Sequence, residues 1–87
     1  MLEIAIEGKV QDLAERRGWL VRKIKWLGRR GAPDRMYMKE GRVVFVEFKR
    51  EKKVPTAQQN REHNRLRAAG CEVITIDSIE AGDDFFL

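Results

Sequence analysis

Apolar residues near the start of the chain recur with the spacing of an α-helix, and the set is Leu2, Ile6, Val10, Leu13 and Ala14. Positions three and four apart share one side of a helix, so the pattern predicts an amphipathic helix over residues 2–17. Gly18 follows, where a glycine commonly ends a helix. Two acids, Glu3 and Glu7, lie four residues apart close to the apolar face.

Segments rich in β-branched and aromatic residues predict four strands, at residues 19–26, 34–39, 42–49 and 71–76. Glu40-Gly41, between the second and third strands, is typical of a tight hairpin turn. The third strand contains an apolar run from Val43 to Val46, as expected of a buried strand. The lysines of the first strand suit an edge position in the sheet.

A helix between the third and fourth strands has a strong start signal. Thr56 and Gln59 match a capping box, in which each side chain bonds the backbone of the other residue, and Pro55 precedes them. The helix is predicted to run to about Ala69 and to end at Gly70. Because a helix separates them, the third and fourth strands can pair in parallel.

The order of these elements predicts an α/β fold with a mixed central sheet flanked by helices. Asp77 is the predicted N-cap of a short last helix over residues 78–86, with Glu80 at its N3 position. The final residues 85–87 are apolar and are expected to dock on the body of the domain or on a partner.

The distribution of charge favours a polyanion as the binding partner. The 87 residues, enough for a single domain, carry a net charge of +4 with a pI near 9.6. Seven basic residues and no acid fall between residues 16 and 33, and this density points to nucleic acid. The predicted nucleic-acid contacts are Arg22, Lys25, Arg29, Arg30, Arg35, Arg50, Lys52 and Lys53.

A single cysteine and the lack of long apolar runs indicate the cellular setting. Cys71 cannot form an internal disulfide, which fits a reducing cytoplasm, and it is expected to be a small buried strand residue. No apolar run approaches the roughly 20 residues of a membrane span, and acids interrupt the first apolar residues, unlike a signal peptide. We expect a soluble cytoplasmic protein that uses neither a membrane nor a small-molecule cofactor.

Two acids should face each other across the predicted hairpin. Asp34 and Glu47 each lie six residues from the Glu40-Gly41 turn. Lys49 shares a face with Glu47, because side chains alternate along a strand. Neighbouring carboxylates repel each other unless a cation lies between them, and Mg²⁺ is typically held by one or two carboxylates together with a phosphate.

This arrangement predicts a metal site for phosphate chemistry. Lys49 would orient the attacking water or stabilise charge on the phosphate, and either Glu3 or Glu7 would supply a third oxygen. The plain structural alternative is a salt bridge of Glu47 with Lys49 or Arg35.

Other functions remain open from the residues alone. One rival is a non-catalytic double-stranded nucleic-acid-binding module; a third option is a regulatory or assembly protein that uses its apolar end for contacts. Binding alone does not need two acids beside a phosphate, which they would repel. His63 is expected to be a satisfied helix-surface or interface histidine and not a general base.

Several motifs, in order, resemble the VRR-NUC family, the virus-type replication-repair nucleases of the PD-(D/E)xK superfamily. They are Gly31-Ala-Pro-Asp34, Val43-Val-Phe-Val-Glu-Phe-Lys49, Thr56-Ala-Gln-Gln59 and Leu66-Arg-Ala-Ala-Gly70. The resemblance extends from Glu3 to about Ile76, and it implies a restriction-endonuclease-like α-β-β-β-α-β core.

The resemblance also implies a Mg²⁺- or Mn²⁺-dependent endonuclease for branched, junction or flap DNA. Such a protein would act in DNA repair as a homodimer resembling Holliday-junction resolvases, in a bacterium or a phage-infected cell. Gln59 matches the glutamine of the family motif better than Gln58 does, and Glu3 fits the helical acid better than Glu7. The catalytic positions of the family are matched by Asp34, Glu47 and Lys49.

Overall fold

A four-stranded mixed sheet with the strand order β1-β2-β3-β4 organises the chain. The structure, a computed structural model, describes residues 1–87. Its elements are α1 (Glu3–Arg16), β1 (Leu20–Lys23), β2 (Arg35–Lys39), β3 (Arg42–Phe48), α2 (Ala57–Ala68), β4 (Glu72–Ile76) and α3 (Ile79–Phe85). The predicted order of elements and the mixed sheet are confirmed.

The strand pairing follows from the connections. β2 and β3 form an antiparallel hairpin, and the turn residues Glu40 and Gly41 both have positive φ, at 51° and 83°. This is the backbone that a two-residue turn between twisted strands requires. β3 and β4 pair in parallel through the α2 crossover, as predicted, and β1 lies at the edge of the sheet.

One face of the sheet carries the hydrophobic core, and α1 and α3 cover it. Ile6, Val10 and Ala14 of α1 pack against inward-facing strand residues such as Val46 and Phe48. Leu2 was assigned to the apolar stripe, but it is 67% exposed. It is the N-cap of α1 and has extended backbone, so it precedes the helical turns whose apolar face packs on the sheet.

The opposite face is covered by α2 at the β3–β4 side. Because side chains alternate along β3, Glu47 points to this face while Phe48 points into the core. Thr56 caps α2 in the predicted capping box with Gln59. The helix therefore begins directly beside Glu47.

The C-terminal segment docks on the core side. Phe86 is fully buried and stacks on Tyr37 with ring centroids 4.4 Å apart, whereas Leu87 is exposed. The predicted N-cap Asp77 is wrong: the side chain of Ser78 accepts the N–H of Ala81 at 3.0 Å. The helix begins one residue later than predicted, because Ser78 has the extended backbone of an N-cap.

Two further boundaries differ from the predictions. β1 ends at Lys23. Beyond it, only the N–H of Ile24 still continues the pairing, at Asp34 O, and the glycine-containing loop follows. Lys25 therefore lies outside the strand. Cys71 is half-buried and precedes β4, so it is not a buried strand residue.

None of the helices has the length and hydropathy of a membrane-spanning segment.

Candidate active site

Asp34 and Glu47 lie opposite each other on the hairpin. The register pairs Arg35 with Val46, and the N–H of Asp34 donates to Val46 O at 2.9 Å, which extends the ladder by one residue. Asp34 Oδ2 accepts the backbone N–H of Phe48 at 2.7 Å. This bond fixes the Asp34 carboxylate at the end of β3, beside the Glu47 side chain.

Glu3 completes a cluster of three carboxylates. One oxygen each from Glu3, Asp34 and Glu47 lies within 4.8 Å of the others. Glu7 does not belong to this group, because its Oε1 accepts from Arg35 Nε at 2.9 Å and Nη2 at 2.5 Å. The helical acid that joins Asp34 and Glu47 is therefore Glu3.

Arg35 points to the α1 side of the sheet, away from Glu47. Its guanidinium is bound by Glu7 and by Gln11 Oε1. The alternative of an Arg35–Glu47 salt bridge is therefore wrong, because adjacent register positions place these side chains on opposite faces. The same contacts argue against the predicted role of Arg35 in binding nucleic acid, since each of its three guanidinium nitrogens already donates a hydrogen bond to α1.

Burial and mutual repulsion raise the pKa values of two acids in the cluster. Glu47 is 1% exposed and its Oε1 has no hydrogen-bond partner. Burial, followed by the charge of Asp34, raises the pKa of Glu47 to about 7, although Lys49 opposes the shift. Burial also raises the pKa of Asp34, while the hydrogen bond from Phe48 opposes the rise. Without a cation, these acids disfavour their charged forms.

Lys49 lies on the same side as Glu47, as predicted. Its Nζ is 3.3 Å from Glu47 Oε2, and its side chain is 15% exposed. The backbone N–H of Lys49 donates to Ile76 O at 3.0 Å, which continues the parallel pairing one residue beyond β3. The ammonium group is thus held at the rim of the cluster, where it can reach a bound anion.

Gln59 also contacts the cluster. Its Nε2 donates to Glu47 Oε2 at 3.2 Å, and its Oε1 accepts the N–H of Thr56 at 2.9 Å. The neighbouring Gln58 is exposed and lines a different cavity. Gln59, and not Gln58, is therefore the glutamine of α2 that contacts the cluster, as the motif spacing indicated.

The prediction for His63 is wrong. Its side chain is fully buried, and neither ring nitrogen has a hydrogen-bond partner. Nε2 lies 3.8 Å from Glu47 Oε1, beneath the cluster, and burial lowers the pKa of the ring. The polar composition of α2 obscured this burial; the spacing of four residues from Gln59, which puts both on one helix face, is the signal that could have found it.

All the predicted basic contacts except Arg35 are exposed to solvent. The exposed ones are Arg22, Lys25, Arg29, Arg30, Arg50, Lys52 and Lys53. Arg29 also approaches Glu62 at 3.4 Å. The sequence reading did not single out Glu62, although its carboxylate is nearly buried and accepts Trp26 Nε1 at 2.7 Å.

The carboxylate cluster fits a hard divalent cation. One oxygen from each of three carboxylates converges at this point, and Glu47, the buried one, also has an oxygen without a hydrogen-bond partner. The pKa values of Glu47 and of the half-buried Asp34 are both raised, which shows that their negative charges lack compensation. Oxygen ligands of this kind are those that Mg²⁺ prefers. Glu3, Asp34 and Glu47 are therefore the residues able to hold the ion.

Comparison with known proteins agrees with this geometry. No protein-family model matches the chain. "Putative nuclease p44" of Acyrthosiphon pisum secondary endosymbiont phage 1 is 40% identical over 77 residues, covering 87% of this chain and 83% of that protein. A solved structure described as a VRR_NUC domain superposes with a TM-score of 0.88 and 35% identity, covering 95% of this chain and 91% of the other.

Proposed function

We propose that this chain, which belongs to the VRR-NUC family of nucleases, is a Mg²⁺- or Mn²⁺-dependent endonuclease that hydrolyses phosphodiester bonds in branched DNA. The observation that carries the proposal is the convergence of three carboxylates, those of Glu3, Asp34 and the buried Glu47, with one oxygen of each within 4.8 Å of the others. A cluster of this kind is costly in a protein that only binds DNA, because it would repel the phosphates.

The cluster would hold the divalent ion through Glu3, Asp34 and Glu47. When bound, the ion supplies charge stabilisation at the phosphate and lowers the pKa of coordinated water. The carboxylate of Asp34 is preorganised for this role, because the Phe48 N–H donates a hydrogen bond that fixes its orientation. Glu47 is prepared because its surroundings exclude water, which strengthens its attraction to a cation.

Lys49 and Gln59 would act on the reacting groups and on Glu47. The Lys49 ammonium, 3.3 Å from Glu47 Oε2, is placed to orient the attacking water or to bind a phosphate oxygen. Gln59 is a positioning residue, since its amide fixes one oxygen of Glu47 and leaves the other free. His63 packs under Glu47 and excludes water from that side.

The preference for branched DNA and the homodimer rest on the family resemblance. A small domain gains buried surface by self-association, and two sites related by a twofold axis would suit a symmetric junction. The rival function, a non-catalytic double-stranded nucleic-acid-binding module, would use the same basic loops but leaves the carboxylate cluster unexplained.

Cleavage of labelled four-way junction, flap and linear duplex DNA tests the proposal directly. We expect cleavage with Mg²⁺ or Mn²⁺, none with chelator, and none by Asp34→Asn protein. The asparagine keeps an acceptor for the Phe48 N–H, so the variant should fold normally. Tight binding of these substrates without cleavage under any divalent ion would favour the binding module instead. Light scattering on the eluting protein reports whether it is a dimer.

A further inference from the structure

A cavity of about 360 Å³ lies between the loop after β1 and α2, and arginines line most of it. None of its residues belongs to the carboxylate cluster, and none is hydrophobic. With four guanidinium groups around one space, its chemistry is that of an anion site. The lining residues are Gly28, Arg29, Arg30, Gln58, Arg61 and Arg65.

The cavity carries an excess of positive charge. Arg29 and Arg65 share one counterion, since each approaches Glu62 Oε1, at 3.4 and 3.1 Å. Arg30 and Arg61 are exposed and form no side-chain ion pair or hydrogen bond. Four arginines against one carboxylate leave three positive charges uncompensated. Those charges are available to a ligand.

Glu62 fixes the walls of the cavity relative to each other. Besides the two arginines, its carboxylate accepts the Trp26 indole N–H at 2.7 Å, so it joins the loop to α2. Gly31 lies directly on the helix: a Cβ there would be 2.9 Å from Glu62 Cβ and 3.1 Å from Gln58 O. Glu62 therefore fixes Arg29 and Arg65 directly, and it fixes the positions of the loop and the helix that carry Arg30 and Arg61.

The dimensions match a nucleic-acid strand. Gln58 and Arg65 are seven residues apart on α2, which is about 10 Å along the helix axis. Consecutive phosphates of one strand rise by about 3.4 Å along the duplex axis and lie farther apart along the strand itself, so this length accommodates a short run of them. The cavity thus has both the positive charge and the length to contact consecutive phosphates.

We propose that this arginine cavity binds consecutive phosphates of one DNA strand and guides that strand to the carboxylate cluster. The proposal rests on the proposed function, because it takes DNA as the substrate. The route is short: the loop continues from Gly31 to Asp34, and Gln58 is followed by Gln59, which contacts Glu47. Guanidinium contacts to phosphates hold the backbone without reading sequence.

Fluorescence anisotropy with labelled duplex DNA in chelator tests the cavity without cleavage. The slope of log K against log salt is negative. Over about 50 to 200 mM salt, Arg61→Gln should reduce its magnitude by about 0.9, the value for one lost phosphate contact. Binding should weaken on the order of eightfold at about 0.1 M salt, by the same relation. Arg61→Lys, which keeps the charge, should retain the slope.

Lys9→Gln is the matched control, because Lys9 is exposed on α1, on the opposite face of the sheet. The cavity proposal is overturned if Arg61→Gln and Arg30→Gln bind DNA like Lys9→Gln. It is also overturned if poly-glutamate, and not DNA, binds with the same dependence on Arg61, since the cavity would then serve an acidic protein segment.

Cleavage measured in parallel with Mg²⁺ separates the two proposals. DNA cleavage by the wild-type protein, with binding that does not depend on Arg61, would reject the cavity and leave the nuclease assignment standing. Binding that depends on Arg61, in a wild-type protein that cuts no DNA with any divalent ion, would support the cavity and reject the nuclease assignment.

Discussion

Gln59 donates its amide N–H to Glu47 Oε2 at 3.2 Å, while its own Oε1 accepts the Thr56 N–H that begins α2. One side chain thus joins the capping box of a helix to the buried acid of the neighbouring strand. Loss of the amide should therefore affect both helix stability and the position of Glu47, and the two effects can be separated.

Gln59→Ala should reduce cleavage by about 10- to 100-fold, the usual cost of losing a partner that orients a ligand. Thr56→Ala is the control, because it removes the cap at a cost of about 0.5–2 kcal/mol without touching Glu47. Single-turnover cleavage and urea unfolding should be measured on both variants. Equal losses of cleavage would assign Gln59 a capping role only.

Glu47→Gln should abolish cleavage and yet stabilise the metal-free protein at pH 8. Losing a ligand carboxylate removes several kcal/mol of charge stabilisation, or about 10³-fold in rate. The same change removes a buried charge that repels Asp34. Thermal unfolding in chelator checks the second effect, where each kcal/mol is worth about 4–8 °C. A lower Tm for the variant would contradict it.

The stability of the metal-free protein should fall as pH rises from about 4.5 to about 7. Glu47 has an ordinary pKa of 4.5 and a folded pKa of about 7, so the folded state binds more protons across this window. Stability is present below the lower value and is lost as pH passes the upper one.

Chemical unfolding in chelator at a series of pH values measures this slope, and Glu47→Gln should be flatter because it cannot titrate there. His63 contributes with the opposite sign, since its lowered pKa costs stability as pH falls. The difference between the two proteins therefore reports the titration of Glu47 together with its effect on the neighbouring Asp34 and His63. Saturating Mn²⁺ should also flatten the wild-type slope, because the ion compensates the charged form.

Gly31→Ala should destabilise the protein by about 1–3 kcal/mol, as overpacking does. Gly31 has φ +90°, and an added Cβ would meet Glu62 Cβ at 2.9 Å. Gly8→Ala is the control, because nothing lies within 4 Å of a Cβ at that helical position. That change should stabilise by roughly 0.5–1 kcal/mol. Urea denaturation of the two variants should give opposite signs.

Local signals in the sequence predicted most of the fold. The Glu40-Gly41 turn, the Thr56 capping box and the apolar alternation of β3 each act over a few residues, and each appears in the structure. The placement of Asp34 opposite Glu47 follows from the turn alone, because a two-residue turn fixes the register of the whole hairpin.

The rest depended on packing between distant segments. The position of α1 on the sheet and the hydrogen bonds between Glu7 and Arg35 decide which helical acid joins Asp34 and Glu47. The burial of His63 and Glu62 was hidden because α2 is largely polar and buries little apolar surface. No short-range pattern reports contacts of this kind.

Successive residues of β3 face the core and the candidate active site in turn. The strand should therefore tolerate substitutions better than changes in its length. Val46 and Phe48 fill the core, and Glu47 between them faces the carboxylate cluster. Substitutions on one face leave the other unchanged, but a one-residue insertion or deletion would exchange the faces. A two-residue insertion would restore the faces and move Glu47 about 7 Å past Asp34. We therefore expect the segment between Asp34 and Glu47 to accept substitutions but not insertions or deletions.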